Sequence, residues 1–411
     1  MQQRPIHHTF GPLATRAQVA RAFVLQFLPW KWRRGPETEM LRTDLEQLFP
    51  QQRAALFDTG RAALLALLQV LELRSGDEVI VQGYTCAVVP NAIRAAGATP
   101  VYVDINPRTL TLDPALVRAA ITRKTRVVIC QHTFGIPADM SALRLICDEK
   151  DIALVEDCAH VLPDAPSERI GAVGDAVLLS FGRDKAISGV TGGALLTRHF
   201  LLAKRLRDAE TQARDHTLWT ILNLIDYPLR YAWAHAIWKT HLAKIYLRGC
   251  QWLRLLPPVL TQAEKAGTPS QILFRMPNAC AALALDQLHT LTRLNEQRAT
   301  IASLFAQAAK EHRWPVVRGI LAAAAPQKFP LLIPNAAKVR VTLKQQQIYL
   351  DDGWCGAVVN PPTVDQRAVG YERGMCPHAE KVAQEILTLP THPTMSVMQA
   401  KQLVQVLAGL L

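Results

Sequence analysis

The sequence predicts an α/β protein: a mostly parallel central sheet flanked by helices, followed by a smaller C-terminal α+β domain. Two observations carry that expectation. Between residues 53 and 198 short apolar runs alternate with stretches of helical composition, the habit of a sheet built from βαβ units. With 411 residues, 49% of them hydrophobic, and no low-complexity tract, the chain is long enough to bury such a core.

The elements follow in order. A polar start leads into "ARAFVLQFLPWKWRRG" (Ala20 to Gly35), where an apolar run meets a Trp-Lys-Trp-Arg-Arg cluster, and residues 1–50 read as an N-terminal arm. "AALFD" is a strand, after which Thr59-Gly60 opens the helix "RAALLALLQVLEL". "SGD" turns the chain into the strand "EVIVQ", a helix covers residues 86–96, and "GATP" turns it into the strand "VYVDI". The pattern continues through "RVVICQH", a helix near 140–150, "IALVED", "AVLLSFG" and "GALLTR". Residues 201–268 are helical, aromatic and basic, and read as an insert in a large domain spanning 51–268. From 269 to 411 the chain reads as the small domain, with a helix over 278–309, the strand "KFPLLIP" and the closing helix "SVMQAKQLVQVLAGLL".

A formal charge of +12 and a pI near 9.5 point to an anionic partner or a generally basic enzyme. The Lys and Arg residues are scattered, and no nucleic-acid-binding motif accompanies them, so no nucleic-acid partner is expected. Eight cysteines without a C-x-x-C pair or metal-ligand spacing read as reduced thiols, with no metal site. The N-terminus lacks a signal-peptide layout and no run reaches the length of a membrane span, so a cytoplasmic location is expected.

Four features sit at strand ends, where open α/β sheets bind ligands. Thr59-Gly60-Arg61 lies at a strand-to-helix junction, whose unpaired amides suit a phosphate. Asp157 and His160, in "VEDCAH", close an apolar strand; the acid either faces a cavity or caps the next helix. Ser180 ends "AVLLS" and places a hydroxyl at the same edge. Lys185, in "SFGRDKAISGVTGG", is either an exposed loop lysine or, desolvated at the sheet edge, an amine nucleophile toward carbonyls. Together a phosphate cradle, an Asp for a ring nitrogen, a Ser and a Schiff-base Lys are the parts a pyridoxal phosphate site needs.

On these residues the chain resembles the DegT/StrS family of sugar aminotransferases, pyridoxal-phosphate enzymes of fold type I. The matching stretches run from residue 53 to the C-terminus: "TGRAALLALL", "GDEVIVQGYTCAVVPNAIRAAGATPVYVDI", "QHTFGIPADM", "VEDCAH", "SFGRDKAISGVTGGALLT", "FRMPNACAALALDQL" and "CPHAEKVAQEILTLPTHP". The resemblance implies that Lys185 holds the cofactor covalently and moves protons, and that Asp157 pairs with the pyridine nitrogen. It places His160 beside the phenolic oxygen, and Ser180 with the Thr59-Gly60-Arg61 turn at the phosphate. Family members with histidine instead of this lysine perform dehydration, so Lys185 favours transamination.

The chain also departs from the family. Cys86 stands where an aromatic residue usually stacks on the cofactor, with Tyr84 two positions away. Thr191-Gly192-Gly193 replaces the frequent Glu-Gly-Gly, and Leu273 aligns with an asparagine that members lend to the partner subunit's phosphate. The resemblance implies a homodimer that aminates a keto-sugar, nucleotide-linked or lipid-linked, using a donor such as glutamate. The alternative is a catalytically weakened relative that serves as a sugar-binding or scaffolding protein. Finally, Trp30, Trp32, Trp219, Trp233, Trp238 and Trp252 are interspersed with Arg230, Lys239, Lys244, Arg248 and Arg254. That pattern suits either a subunit contact or peripheral docking at a membrane surface.

Overall fold

The computed structural model describes residues 5–8, 11, 13–238 and 242–411. Helices α1 (Arg16–Gln26) and α2 (Pro36–Leu48) precede strand β1 (Arg53–Phe57) and helix α3 (Gly60–Val70). Then come β2 (Glu78–Gln82), α4 (Val88–Ala95), β3 (Thr99–Val103), α5 (Pro114–Ala120), β4 (Thr125–Gln131) and α6 (Met140–Lys150). β5 (Ala153–Asp157), β6 (Ala176–Ser180) and β7 (Gly193–Thr197) complete the sheet, in the order β1-β7-β6-β5-β4-β2-β3. Every pair is parallel except those of β7, which runs antiparallel to both β6 and β1.

Side-chain alternation along the strands builds the layers. Phe57, Val79, Val81, Val127, Ile129, Val155, Leu178 and Leu195 point to the face covered by α3 and α4. Their neighbours Ile80, Val128 and Leu154 point to the opposite face, against Leu143 and Ile146 of α6. On that opposite face Leu56, Val177, Leu179 and Leu196 meet Leu25 of α1 and Leu41 and Leu45 of α2. The apolar runs read as strands are therefore covered on both faces, which is why polar alternation is missing from them.

Helices α7 (Phe200–Gln212), α8 (Leu218–Ala236), α9 (Leu242–Trp252) and α10 (Gln262–Lys265) fill the region read as helical. The helix expected over 278–309 is two, α11 (Asn278–Leu288) and α12 (Leu291–Glu311). At the break the Thr290 hydroxyl donates to the Gln287 carbonyl at 3.1 Å, a local bond that competes with the helical ladder. The C-terminal part pairs β8 (Lys328–Leu332) antiparallel with β9 (Ile386–Pro390). Helices α13 (Ala336–Gln345), α14 (Pro377–Glu385) and α15 (Val397–Ala408) pack with α12 around this pair. Among the described residues no helix is long and apolar enough to cross a membrane.

Candidate active site

The sheet topology carries the candidate residues to one edge. Asp157 and Ser180 end β5 and β6, while Thr59 follows β1. Because β7 is antiparallel, it begins at this same edge, and Gly193 pairs with Ser180 on one side and Phe57 on the other. The loop carrying Lys185 thus leaves and re-enters the sheet at adjacent points.

Small residues let these segments interlock. A Cβ on Gly193 would lie 2.4 Å from the Gly60 amide nitrogen, and one on Gly60 would lie 3.2 Å from Ser180 Oγ. A Cβ on Gly182 would lie 3.3 Å from Lys185 Cγ and 3.8 Å from Ser180 Oγ. The phosphate-type turn, the serine and the lysine therefore share one corner. Thr59 caps α3 by accepting from the Ala62 amide at 3.1 Å. That leaves the first-turn amides of Gly60 and Arg61, which the helix itself cannot pair. The Arg61 side chain turns away, donating to Glu264 and to the Val259 carbonyl. Only its backbone faces the corner's chemistry.

Asp157 is buried, and its Oδ1 accepts from the Ala159 amide at 2.9 Å. Burial pushes its carboxyl above the usual range, while the Ala159 amide and the Lys185 charge pull it back. His160 is also buried; its Nδ1 accepts from the Phe134 amide at 3.2 Å, so the ring proton sits on Nε2. Burial and the charges of Lys185 and Lys328 hold this imidazole well below its usual range, so it is neutral. Its ring stacks on Phe134, centroids 5.6 Å apart at 18°, and meets Trp354 edge-on at 4.7 Å. Phe134 adopts a left-handed backbone conformation with φ 56°, which turns its amide toward His160.

Cys86 is half-buried; burial raises its thiol and the Lys185 charge lowers it. The neighbouring Tyr84 is buried in the core, donating to the Trp354 carbonyl and packed on Phe134 and Trp354, so it is not a stacking residue. Leu273 packs against the α3 face of the sheet, and its carbonyl accepts from the Arg214 amide at 2.9 Å.

Four polar groups in this region lack a side-chain partner among the described residues: Lys185 Nζ, Ser180 Oγ, Asp157 Oδ2 and His160 Nε2. A group with a phosphate, a ring nitrogen, a phenolic oxygen and an aldehyde supplies a partner for each of the four. The donor set therefore fits pyridoxal phosphate.

Sequence reasoning missed the wall supplied by the C-terminal part. A small cavity beside Lys185 is lined by Asp184, Arg298, Gln327, Lys328, His8 and His392. Arg298 is buried and donates to Asn295 and to the carbonyl of Ala186, fixing the chain just past the lysine; burial lowers its guanidinium to about 10. Lys328 is buried in an ion pair with Asp352 at 3.0 Å, its ammonium 5.6 Å from the Phe134 ring centre and 5.8 Å from that of Trp354. A lysine opening the run "KFPLLIP" looks like a solvent-facing strand end, so nothing in the sequence flagged it. His132, Glu156 and Cys158 also bring ligand atoms within 4.8 Å of one another. There Glu156 accepts from the amides of Gly171, Val173 and Gly174 and from His132, whose Nδ1 accepts from Ala138; these bonds brace β5 from below.

Comparison with known proteins matches this architecture. The fold is that of pyridoxal-phosphate-dependent aminotransferases of fold type I. NtdA from Bacillus subtilis, with bound cofactor PMP, superposes with a TM-score of 0.74 at 20% identity, covering 98% of this chain and 85% of that one. DesV from S. venezuelae gives 0.71 at 24% identity, covering 96% and 94%. DesI, in the presence of its TDP-sugar product, gives 0.72 at 22% identity, covering 99% and 93%. The sequence model of the DegT/DnrJ/EryC1/StrS aminotransferase family matches residues 20–224 and 261–408, and the chain belongs to that family. It is a pyridoxal-phosphate-dependent enzyme among the family's sugar aminotransferases.

Proposed function

We propose that this aminotransferase moves an amino group from an amino acid such as glutamate to a nucleotide-linked keto-sugar, yielding an amino sugar for glycan synthesis. The observation that carries the site assignment is the convergence of unpaired Lys185, Ser180, Asp157 and His160 groups at one sheet edge. The nucleotide link is supported by the likeness to DesI, whose structure holds a TDP-sugar product. By family resemblance the enzyme would work as a cytoplasmic homodimer, with the cofactor in the 51–268 portion.

Bound there, pyridoxal phosphate supplies a ring that takes up electrons from the donor's α-carbon and carries the amino group between the two substrates. Asp157, through its free oxygen, would hold the ring nitrogen protonated. Burial raises this carboxyl and the Lys185 charge partly offsets that; a protonated ring nitrogen bound beside it would favour its ionised form further. His160 would donate through Nε2 to the phenolic oxygen, its tautomer fixed by Phe134. Ser180 and the amides of Gly60 and Arg61 would hold the phosphate. Lys185 would hold the aldehyde carbon and, once displaced by the donor, carry a proton away from its α-carbon. Arg298 and Gln327 keep the lysine loop in place through the carbonyls of Ala186 and Asp184.

The direct test is the visible spectrum of purified protein with added pyridoxal phosphate. A yellow band that borohydride fixes to Lys185 and that glutamate bleaches is the expected result. No band at all would transfer the lead to the scaffold reading, which the small Cys86 in place of a stacking aromatic favours. Gly193→Ala offers a second check, because its Cβ must displace the Gly60 backbone. We expect it to cost about 2 kcal/mol of stability and to weaken cofactor in an absorbance titration. Wild-type values in both would show that this contact does not shape the turn.

A further inference from the structure

The family match breaks between residues 224 and 261, and in this chain that gap holds the end of α8, all of α9 and the segment leading to α10. Its surface is unusual for a protein face left open to water. Along α9 only Ala243 and Cys250 are buried, whereas Leu242, Ile245 and Trp252 are 55%, 67% and 82% exposed. With Gly249 these stand at i, i+3, i+7 and i+10, a single stripe along the helix. Lys244 and Arg248, four residues apart, run beside the stripe, and exposed Leu253 and Arg254 follow it. Helix α8 packs against α9 and adds exposed Trp233; α1 packs along α8 and adds exposed Phe23 and Phe27.

The charge around the stripe has one sign. From residue 227 to 263 the sequence contains no acidic residue and five basic ones: Arg230, Lys239, Lys244, Arg248 and Arg254. Lys239 lies outside the described residues. Arg230 is neutralised by Asp226 at 2.7 Å. Among the described residues Lys244, Arg248 and Arg254 make no ion pair; the Lys244 ammonium instead lies 5.9 Å from the Trp238 ring centre.

We propose that α9 and the exposed residues flanking it dock the enzyme on an anionic lipid surface, with α9 lying in the plane of the headgroups. An apolar stripe carrying Trp and Ile buries in the acyl boundary while flanking cations meet lipid phosphates. A second copy of the chain fits this face less well. A two-fold interface would set the patch against itself, bringing Lys244 and Arg248 against their own copies with no acid to separate them.

The test is co-sedimentation of the full-length holoenzyme with vesicles, one set equal parts phosphatidylglycerol and phosphatidylcholine, the other phosphatidylcholine alone. We expect binding to the anionic set, weakened by high salt. Lys244→Gln with Arg248→Gln should lower the partition coefficient about 25-fold, since each cation near such a surface contributes about fivefold. Ile245→Ser with Trp252→Ser should abolish binding while leaving the cofactor absorbance unchanged, which shows that the variant is folded. Equal pelleting with neutral vesicles, or none with anionic ones, overturns the proposal. So does a dimer that Ile245→Ser with Trp252→Ser converts to monomer in analytical ultracentrifugation, because the face would then be a subunit interface. The readout does not depend on catalysis, so it stands or falls apart from the substrate assignment.

Discussion

Lys185→Ala is expected to lower the transamination rate by at least about ten-thousand-fold, the combined loss of a covalent anchor and a positioned base. The structure explains why no neighbour can substitute. Asp157 is buried, lies under the charge of Lys185 and is committed at Oδ1 to the Ala159 amide. His160 is a neutral ring whose only free nitrogen carries a proton, so it can give but not take. Lys328 is held by Asp352. The measurement is a single-turnover absorbance change with glutamate in wild type and variant, at cofactor concentrations that saturate both. A variant retaining a tenth of the wild-type rate would show that another base serves the reaction.

Lys328→Met should destabilise the protein by about 3–5 kcal/mol, because it leaves the buried Asp352 carboxylate without its cation. Asp352 accepts from Thr388 Oγ1 at 2.6 Å and from the Trp354 amide at 2.9 Å, so the stranded carboxylate cannot rotate into water. Burial opposes its charge, but Lys328, His8 and the Thr388 hydroxyl hold it far below the usual carboxylate range. A carboxyl depressed in the folded state stabilises the protein above its unfolded pKa near 4, and that stability drains away as pH falls toward the folded value. Urea midpoints should therefore drop on acidification below about pH 4 in wild type, and this acid dependence should be flatter in Lys328→Met. A midpoint within experimental error of wild type at pH 7 would refute the assignment. Because Trp354 and Phe134 flank both Lys328 and His160, the variant should also bind cofactor more weakly.

The sheet was legible because its strands are apolar on both faces and its turns carry Gly, Pro and Asp. "EVIVQ" and residues 140–150 match their elements at both ends. The long helix expected at 278–309 failed at Thr290 because its break contains neither Gly nor Pro, only a hydroxyl that bonds backward. In the site, Lys185, Asp157, His160 and Ser180 stood out because each occupies a strand end or the loop after one. The orientation of Arg61 toward Glu264 was invisible, since the partner lies 203 residues away in α10. Arg298, Lys328 and Asp352 were hidden for a related reason: a buried charge satisfied by distant backbone or by a distant counter-ion leaves no periodic trace in sequence.

The antiparallel placement of β7 has a consequence for how the molecule is made. β1 is synthesised first among the sheet strands, yet its neighbour in the sheet is β7, and Phe57 pairs with Gly193 across 136 positions. On the ribosome the 53–57 strand must wait, its hydrogen-bonding edge bare, until almost the whole sheet has emerged. The turn at Thr59 and Gly60 gains its shape only when Gly192 and Gly193 arrive beside it. Such a nascent chain exposes an apolar edge for the longest part of its synthesis, which is when strand edges recruit other chains. The turn at Thr59 and the cover on the β1 edge therefore form in one step, the arrival of β7.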